Sequence, residues 1–224
     1  MTGDQLRAGR QNAGLTQHQA ASVLGVSQPY LSQLETGYRE IPNGLARKAT
    51  SVYRLSPTNL PLPGRDRLLL SADEIEQQLV ALGYPRFPWR LVRRRSNPAE
   101  LILGGLLNSD LDVRLVEALP WVLVTYADLE WRWLIGRCKL VNLQNRLGYL
   151  VQLARELAGD PTVLTRLTEA YNELERSRLA IEGTLCHESM PQAERRWLRT
   201  HRPAVAKYWN LLTDLTIKDL DYAA

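Results

Sequence analysis

Residues 16–39 read TQHQAASVLGVSQPYLSQLETGYR, and the spacing of their small and apolar side chains decides the fold of the first quarter of the chain. Ala20, Ala21, Leu24, Val26, Leu31 and Leu34 stand at the intervals that let two short helices pack across a tight turn. Thr16, followed three residues later by Gln19, is a capping box, so one helix starts at Gln17 and runs to Leu24. Gly25 can take the positive φ a sharp turn needs, and Ser27 is a good N-cap for the next helix. That helix spans Gln28 to Thr36 and stops at Gly37. Two short helices separated by three residues result.

Working outward, residues 3–12 form a plausible first helix ended by Gly14. Pro42 and Asn43 open a fourth helix running to about Tyr53, and Ser56 with Pro57 has the N-cap and N1 chemistry of a short fifth one. The proline-dense PLPG at 61–64 marks a boundary. The expected organisation is a first domain over residues 1–60, a linker over 61–70 and a second domain over 71–224.

The second domain is a series of helix signals. Ser71 with Glu74 precedes EIEQQLVAL, Asn97 with Pro98 and Glu100 precedes LILGGLL, and Asp110 precedes LDVRLVEAL; Asp128, Asp160 with Pro161, and Ser189 follow. No sustained alternation of apolar and polar residues argues for a sheet, so the whole chain is expected to be all-α. A helical bundle is favoured over a short solenoid because no strict repeat period is visible. From Pro161 to Glu182 the stripe Val163, Leu164, Leu167, Tyr171, Leu174 and Ile181 fits either a dimer seam or, better, a helix lying on its own domain, since Arg178 interrupts it.

Composition bounds the rest. At 224 residues with 45% hydrophobic and 23% charged side chains, the chain can build a core for a small module and a medium one. No run of eighteen apolar residues appears and MTGDQLRAGR is not a secretory leader, so a cytoplasmic protein without a membrane partner is expected. Cys138 and Cys186 are far apart and in no ligand or redox spacing; they read as buried thiols, and neither a metal nor a cofactor is expected. Of the net charge of +4, an excess of three falls in residues 1–60, where Arg7, Arg10, Arg39, Arg47, Lys48 and Arg54 face Asp4, Glu35 and Glu40. A positive small module suits a polyanion, although such an excess is often only a solvated face.

With Leu31 and Leu34 turned inward, Pro29, Ser32, Gln33 and Thr36 point outward and Gln28 stands at the exposed N-terminal end of the second motif helix. This face is polar, short and uncharged. A glutamine amide donates and accepts at once, matching the N6 and N7 edge of adenine in the major groove of duplex DNA, whereas the bland reading is a helix face that water covers.

Residues 5–55 resemble the Cro and phage-repressor (XRE-type) helix-turn-helix family, through AGLTQ at 13–17, LGVSQ at 24–28 and YLSQLETG at 30–37. The resemblance implies a five-helix DNA-binding domain in which Gln17 contacts a phosphate and braces the recognition helix while Gln28 and Gln33 read bases. It also implies a buried ion pair between Arg10 and Glu35, and sugar-phosphate contacts from Arg39, Asn43 and Arg47. Pro29 departs from the family's usual polar residue. It disfavours helical geometry in the residue before it, which leaves the direction of Gln28 open, and it can offer a thymine methyl only apolar contact or simply stiffen the turn.

Arg93, Arg94 and Arg95, near Arg86 and Arg90 and interleaved with Tyr84, Phe87 and Trp89, form a second candidate patch for nucleic acid or an acidic protein, or a solvated loop. Trp121, Trp131, Trp133, Trp197 and Trp209 read mostly as core, with a few able to anchor a partner. Catalysis finds little support: there is no phosphate loop, nucleophile elbow or HExxH, and His18, His187 and His201 assemble no triad. His187 and Glu188 in CHESM read as a loop pair. The expected function is therefore a transcriptional regulator, not an enzyme, that binds double-stranded DNA as a homodimer. The alternative is an antitoxin or adaptor of a toxin-antitoxin or defence operon, whose C-terminal helices bind a protein partner while the N-terminal domain autoregulates.

Overall fold

The computed structural model describes residues 1–64, 69–88 and 95–220, which divide into two compact units, Met1–Pro63 and Gly64–Ala224. In the first unit the helices are α1 (Gly3–Asn12), α2 (Gln17–Leu24), α3 (Gln28–Glu35) and α4 (Asn43–Val52). The expected fifth helix is a single 3₁₀ turn, Pro57–Asn59, because Ser56 accepts from the Thr58 amide and the chain then extends at Leu60. Leu60 and Pro61 are buried in this unit, so the proline-rich stretch begins as part of its packing.

Local chemistry explains the helix ends. Thr2 with Gln5 and Thr16 with Gln19 are closed capping boxes, and Ser27 accepts from the Tyr30 amide. Gly25 sits at φ 75° with its amide bonded back to Ala21 and Ser22, the left-handed stop that turns the chain from α2 towards α3. Helix α3 ends one residue earlier than the sequence suggests: Thr36 is its C-cap, its hydroxyl donating to the carbonyls of Ser32 and Gln33. Leu6, Ala20, Ala21, Leu24, Leu31, Leu34, Ala49 and Tyr53 close into one core. Gly3 lets α1 approach α3 closely, since a β-carbon there would lie 2.5 Å from the Leu34 carbonyl oxygen.

The second unit contains α5 (Ala72–Leu82), α6 (Pro98–Leu107), α7 (Val113–Thr125), α8 (Trp131–Leu140), α9 (Gln144–Leu157), α10 (Pro161–Glu175), α11 (Gln192–His201) and α12 (Ala204–Tyr208). One two-residue parallel pair interrupts the helices, Gly183–Thr184 beside Leu211–Leu212. The described residues are thus almost wholly helical, in line with the all-α expectation. Asn108 donates to the Leu70 carbonyl, and the Leu70 side chain fills the space beside Gly104, so Leu70 belongs to this unit's packing.

Three helix starts shift by about two residues from their sequence signals: Asp112, Glu130 and Pro191, not Asp110, Asp128 and Ser189, precede α7, α8 and α11. Asp110 is occupied elsewhere, its carboxylate accepting from the Ser189 amide at 2.8 Å. On α10, Leu167, Ala170 and Leu174 are buried and the helix packs on α9, as the single-domain reading of that stripe expects. The stripe ends at Glu175, and Ile181, well outside the helix, is exposed.

Both cysteines are buried thiols; burial pushes Cys138 up to about 12 and Cys186 up to about 11. Trp209 is fully buried against Gly148 of α9, whereas Trp197 is 51% exposed and stacks on His201. No helix among the described residues is long and apolar enough to cross a membrane.

Candidate nucleic-acid interface

Arg10 on α1 and Glu35 at the end of α3, twenty-five residues apart, meet in the floor of the first unit. The Arg10 Nε donates to Glu35 Oε1 at 2.6 Å and its Nη2 to Oε2 at 3.1 Å, while Nη1 donates to the Leu15 carbonyl at 2.8 Å. Side-chain exposure of 10% and 1% makes this a desolvated, forked pair. Burial pushes the Glu35 carboxyl up, but the hydrogen bonds from Arg10 and Gln17 and the charge of Arg10 outweigh it and hold the group below the usual carboxylate range. Nearby, burial and then the charge of Glu35 push the Tyr53 phenol up to about 12.

The pair does not end at the core. Gln17, the first residue of α2, donates through Nε2 to Glu35 Oε2 at 2.9 Å, and Gln28, the first residue of α3, donates through Nε2 to Gln17 Oε1 at 2.8 Å. A carboxylate only accepts, so it fixes which end of the Gln17 amide faces inward; the outward Gln17 oxygen then fixes the Gln28 amide in turn. Gln28 is left with its carbonyl oxygen and one N–H, which is the donor and acceptor pair a bidentate contact with adenine needs. Pro29 does not displace it. Gln28 remains inside α3, with Ser27 extended as the cap and the proline in the first turn, where its missing N–H costs nothing.

Gln33 and Ser32 are half-buried on α3 and make no side-chain hydrogen bond among the described residues; Pro29 and Thr36 are exposed. Because the Thr36 hydroxyl proton is taken by its own helix, that residue can only accept from a ligand. Arg39 is exposed and its guanidinium lies over the Tyr30 ring, 5.7 Å from the centroid, so an aromatic from α3 steadies the loop cation. Arg39 and Asn43 line one hollow with Gly37, Glu40 and Ile41, at the start of α4, where free backbone N–H groups favour an anion. Arg47, one turn further along α4, is half-buried.

Lys48 escapes sequence reading: its ammonium donates to the Leu24 carbonyl at 2.9 Å and so occupies the C-terminus of α2. Nothing local to residue 48 signals this, since the carbonyl it meets lies twenty-four residues away.

Of the second patch, Arg93 and Arg94 lie outside the described residues, as do Trp89 and Arg90, while Arg95 is exposed. Arg86 lies 3.8 Å from Glu117, and Tyr84 is buried edge-on against Phe87 and Trp121, so these aromatics build a core. In CHESM, Glu188 is bound by Arg146 at 2.5 Å and by the Thr184 hydroxyl, not by His187. Arg146 also donates to the carbonyls of Leu106 and Thr184, which makes the motif a clamped turn.

A small capped helix pair, a turn fixed by glycine and a polar outer face carrying an oriented amide define a helix-turn-helix module. Residues 3–62 match the family model of a helix-turn-helix domain, which points to a DNA-binding regulator. No curated protein and no solved structure matches the chain.

Proposed function

We propose that the protein is a sequence-specific transcriptional regulator that binds a two-fold symmetric operator in the cytoplasm as a dimer, with α3 in the major groove and no catalytic step. The observation that carries this reading is the relay from Arg10 through Glu35 and Gln17 to Gln28, which holds one amide in a fixed orientation on the face that also bears Ser32 and Gln33. Gln28 and Gln33 read base edges, Pro29 gives apolar contact, and Arg39, Asn43 and Arg47 hold the phosphate backbone. One recognition helix covers only a few base pairs, so a dimer on two half-sites is the economical route to genome-scale selectivity.

The test is selection from a randomised duplex pool, followed by titration. Enrichment of a palindrome with half-sites about ten base pairs apart is expected. Replacing Gln28 and Gln33 by alanine should remove about 1 to 3 kcal/mol of discrimination per lost bidentate pair. Unchanged sequence preference in the double variant refutes the assigned readout.

The half-exposed Trp197, stacked on His201 in a helix with Arg195, Arg196 and Arg199, favours a second reading in which Gly64–Ala224 binds a protein partner, as an antitoxin or adaptor would. Co-expression with the products of neighbouring genes tests it. A stable complex that Trp197→Ala abolishes supports it, and a protein that purifies only with itself counts against it.

A further inference from the structure

A cavity of about 410 Å³ opens in the second unit between α7, the turn at 185–190, α11 and the segment 212–219. Its floor is apolar: Val116 of α7, Leu185, Leu198 of α11, Leu212 and Leu215 face it. Three of the lining residues, Met190, Leu198 and Leu212, form a small buried cluster of their own, so the floor is built and not merely a gap between loops.

The rest of the lining is acidic. Glu117, Glu194, Asp214 and Asp219 stand around the floor with one imidazole, His187, and no lysine or arginine is among the lining residues described. Two of these carboxylates have structural work: Glu117 lies 3.8 Å from Arg86, and Asp219 caps the turn begun by Thr216. Glu194 in the first turn of α11 complements that helix's dipole, yet it forms no hydrogen bond or ion pair among the described residues. Asp214 is exposed, lies outside the helices and likewise forms neither. An anion would meet four carboxylates and no lysine or arginine among the described lining residues, and a neutral apolar molecule would leave the carboxylates unused.

We propose that this cavity binds a small organic cation, an amine or quaternary ammonium on an apolar body, with the body on the leucine floor and the charge held between Asp214 and Glu194. The volume falls in the range of small-molecule sites. Such a site would give the regulator an effector of defined chemistry. Its existence does not depend on the DNA reading, and its test uses no DNA.

The experiment is calorimetric titration of the full chain with octyltrimethylammonium, octyl sulfate and octanol, which share one apolar body and differ in charge, all below micelle formation. Saturable binding of one octyltrimethylammonium per chain is expected, with octyl sulfate and octanol at least tenfold weaker. Glu194→Gln combined with Asp214→Asn should weaken the cation at least tenfold and leave octanol unchanged. Asp214→Lys should shift the preference towards octyl sulfate. Absence of saturable cation binding, equal binding of octyl sulfate, or an undiminished cation affinity in the double variant each overturns the proposal. Should a variant fail to fold, the three-ligand comparison on the parent protein still decides the charge selectivity.

Discussion

Glu35→Gln is the most informative single change, because one atom swap removes a charge at a site where three donors converge. The carboxylate accepts from Arg10 Nε at 2.6 Å, Arg10 Nη2 at 3.1 Å and Gln17 Nε2 at 2.9 Å. A glutamine has one accepting oxygen, and because both Glu35 oxygens accept from Arg10 its NH₂ must face a guanidinium N–H whichever way the amide is turned, donor against donor. Breaking a buried pair by removing one partner costs about 3 to 5 kcal/mol. We expect about 3 kcal/mol here, since the retained oxygen keeps part of one contact. A unit the size of Met1–Pro63 holds about 3 to 9 kcal/mol in total at the usual stability per residue, so at least a third of it should vanish. All six tryptophans lie beyond residue 63, so the first unit carries no tryptophan reporter of its own and the assay has to be local to it. Hydrogen exchange in peptides covering residues 17–24 and 28–35 should speed up more than a hundredfold. Replacing the pair by Arg10→Met with Glu35→Leu should restore most of the lost protection, since no charge is then stranded. A loss under about 1 kcal/mol in Glu35→Gln would refute the claim that this pair is desolvated and holds α1 to α3.

The same carboxylate sets an acid limit. Its folded value lies below the unfolded one, so its contribution is complete above the ordinary glutamate range of about 4.3 and is lost as pH falls through the folded value. Acid titration followed by exchange in α2 and α3 should show this loss in the parent and a flatter profile in Glu35→Gln. Gly148→Ala would place a β-carbon 2.3 Å from the Trp209 ring, so the second unit should lose at least about 1 to 3 kcal/mol and unfold at lower urea by tryptophan fluorescence. Lys48→Met removes the donor that meets the Leu24 carbonyl and should cost the first unit about 1 kcal/mol, read as faster exchange at the end of α2.

The first unit was legible because its punctuation is local. Thr16 with Gln19, Gly25, Ser27 and Gly37 each act within a few residues of themselves, so the spans of α2 and α3 could be read to within one residue. The ion pair of Arg10 and Glu35 could be read only through resemblance to a family, since residues twenty-five apart announce nothing to each other in the sequence. The relay to Gln28 stayed open for a different reason. Pro29 argued against a helical Gln28, and what settles its side chain is a hydrogen bond to Gln17 across the turn, a tertiary interaction that local preference does not foresee.

In the second unit, long-range hydrogen bonds override local pattern more often. The apolar stripe that starts at Pro161 continues on paper to Ile181, but α9 intercepts the backbone after Glu175. Asn145 of α9 accepts from the Leu179 amide at 2.8 Å and donates to its carbonyl at 3.0 Å, and Gln144 donates to the Ser177 carbonyl at 3.2 Å. With those groups satisfied from outside, the chain can leave the helix without stranding them, and it turns into the two-residue strand at Gly183. The CHESM turn follows the same logic, because Arg146 of α9 takes the carbonyls of Leu106 and Thr184 and the Glu188 carboxylate together. Three polar residues at the start of one helix, Gln144, Asn145 and Arg146, thus decide where α10 ends and how the segment lining the acidic cavity is held. Their side chains sit in a periodic helical pattern like any others, and only the folded chain shows which backbone they serve.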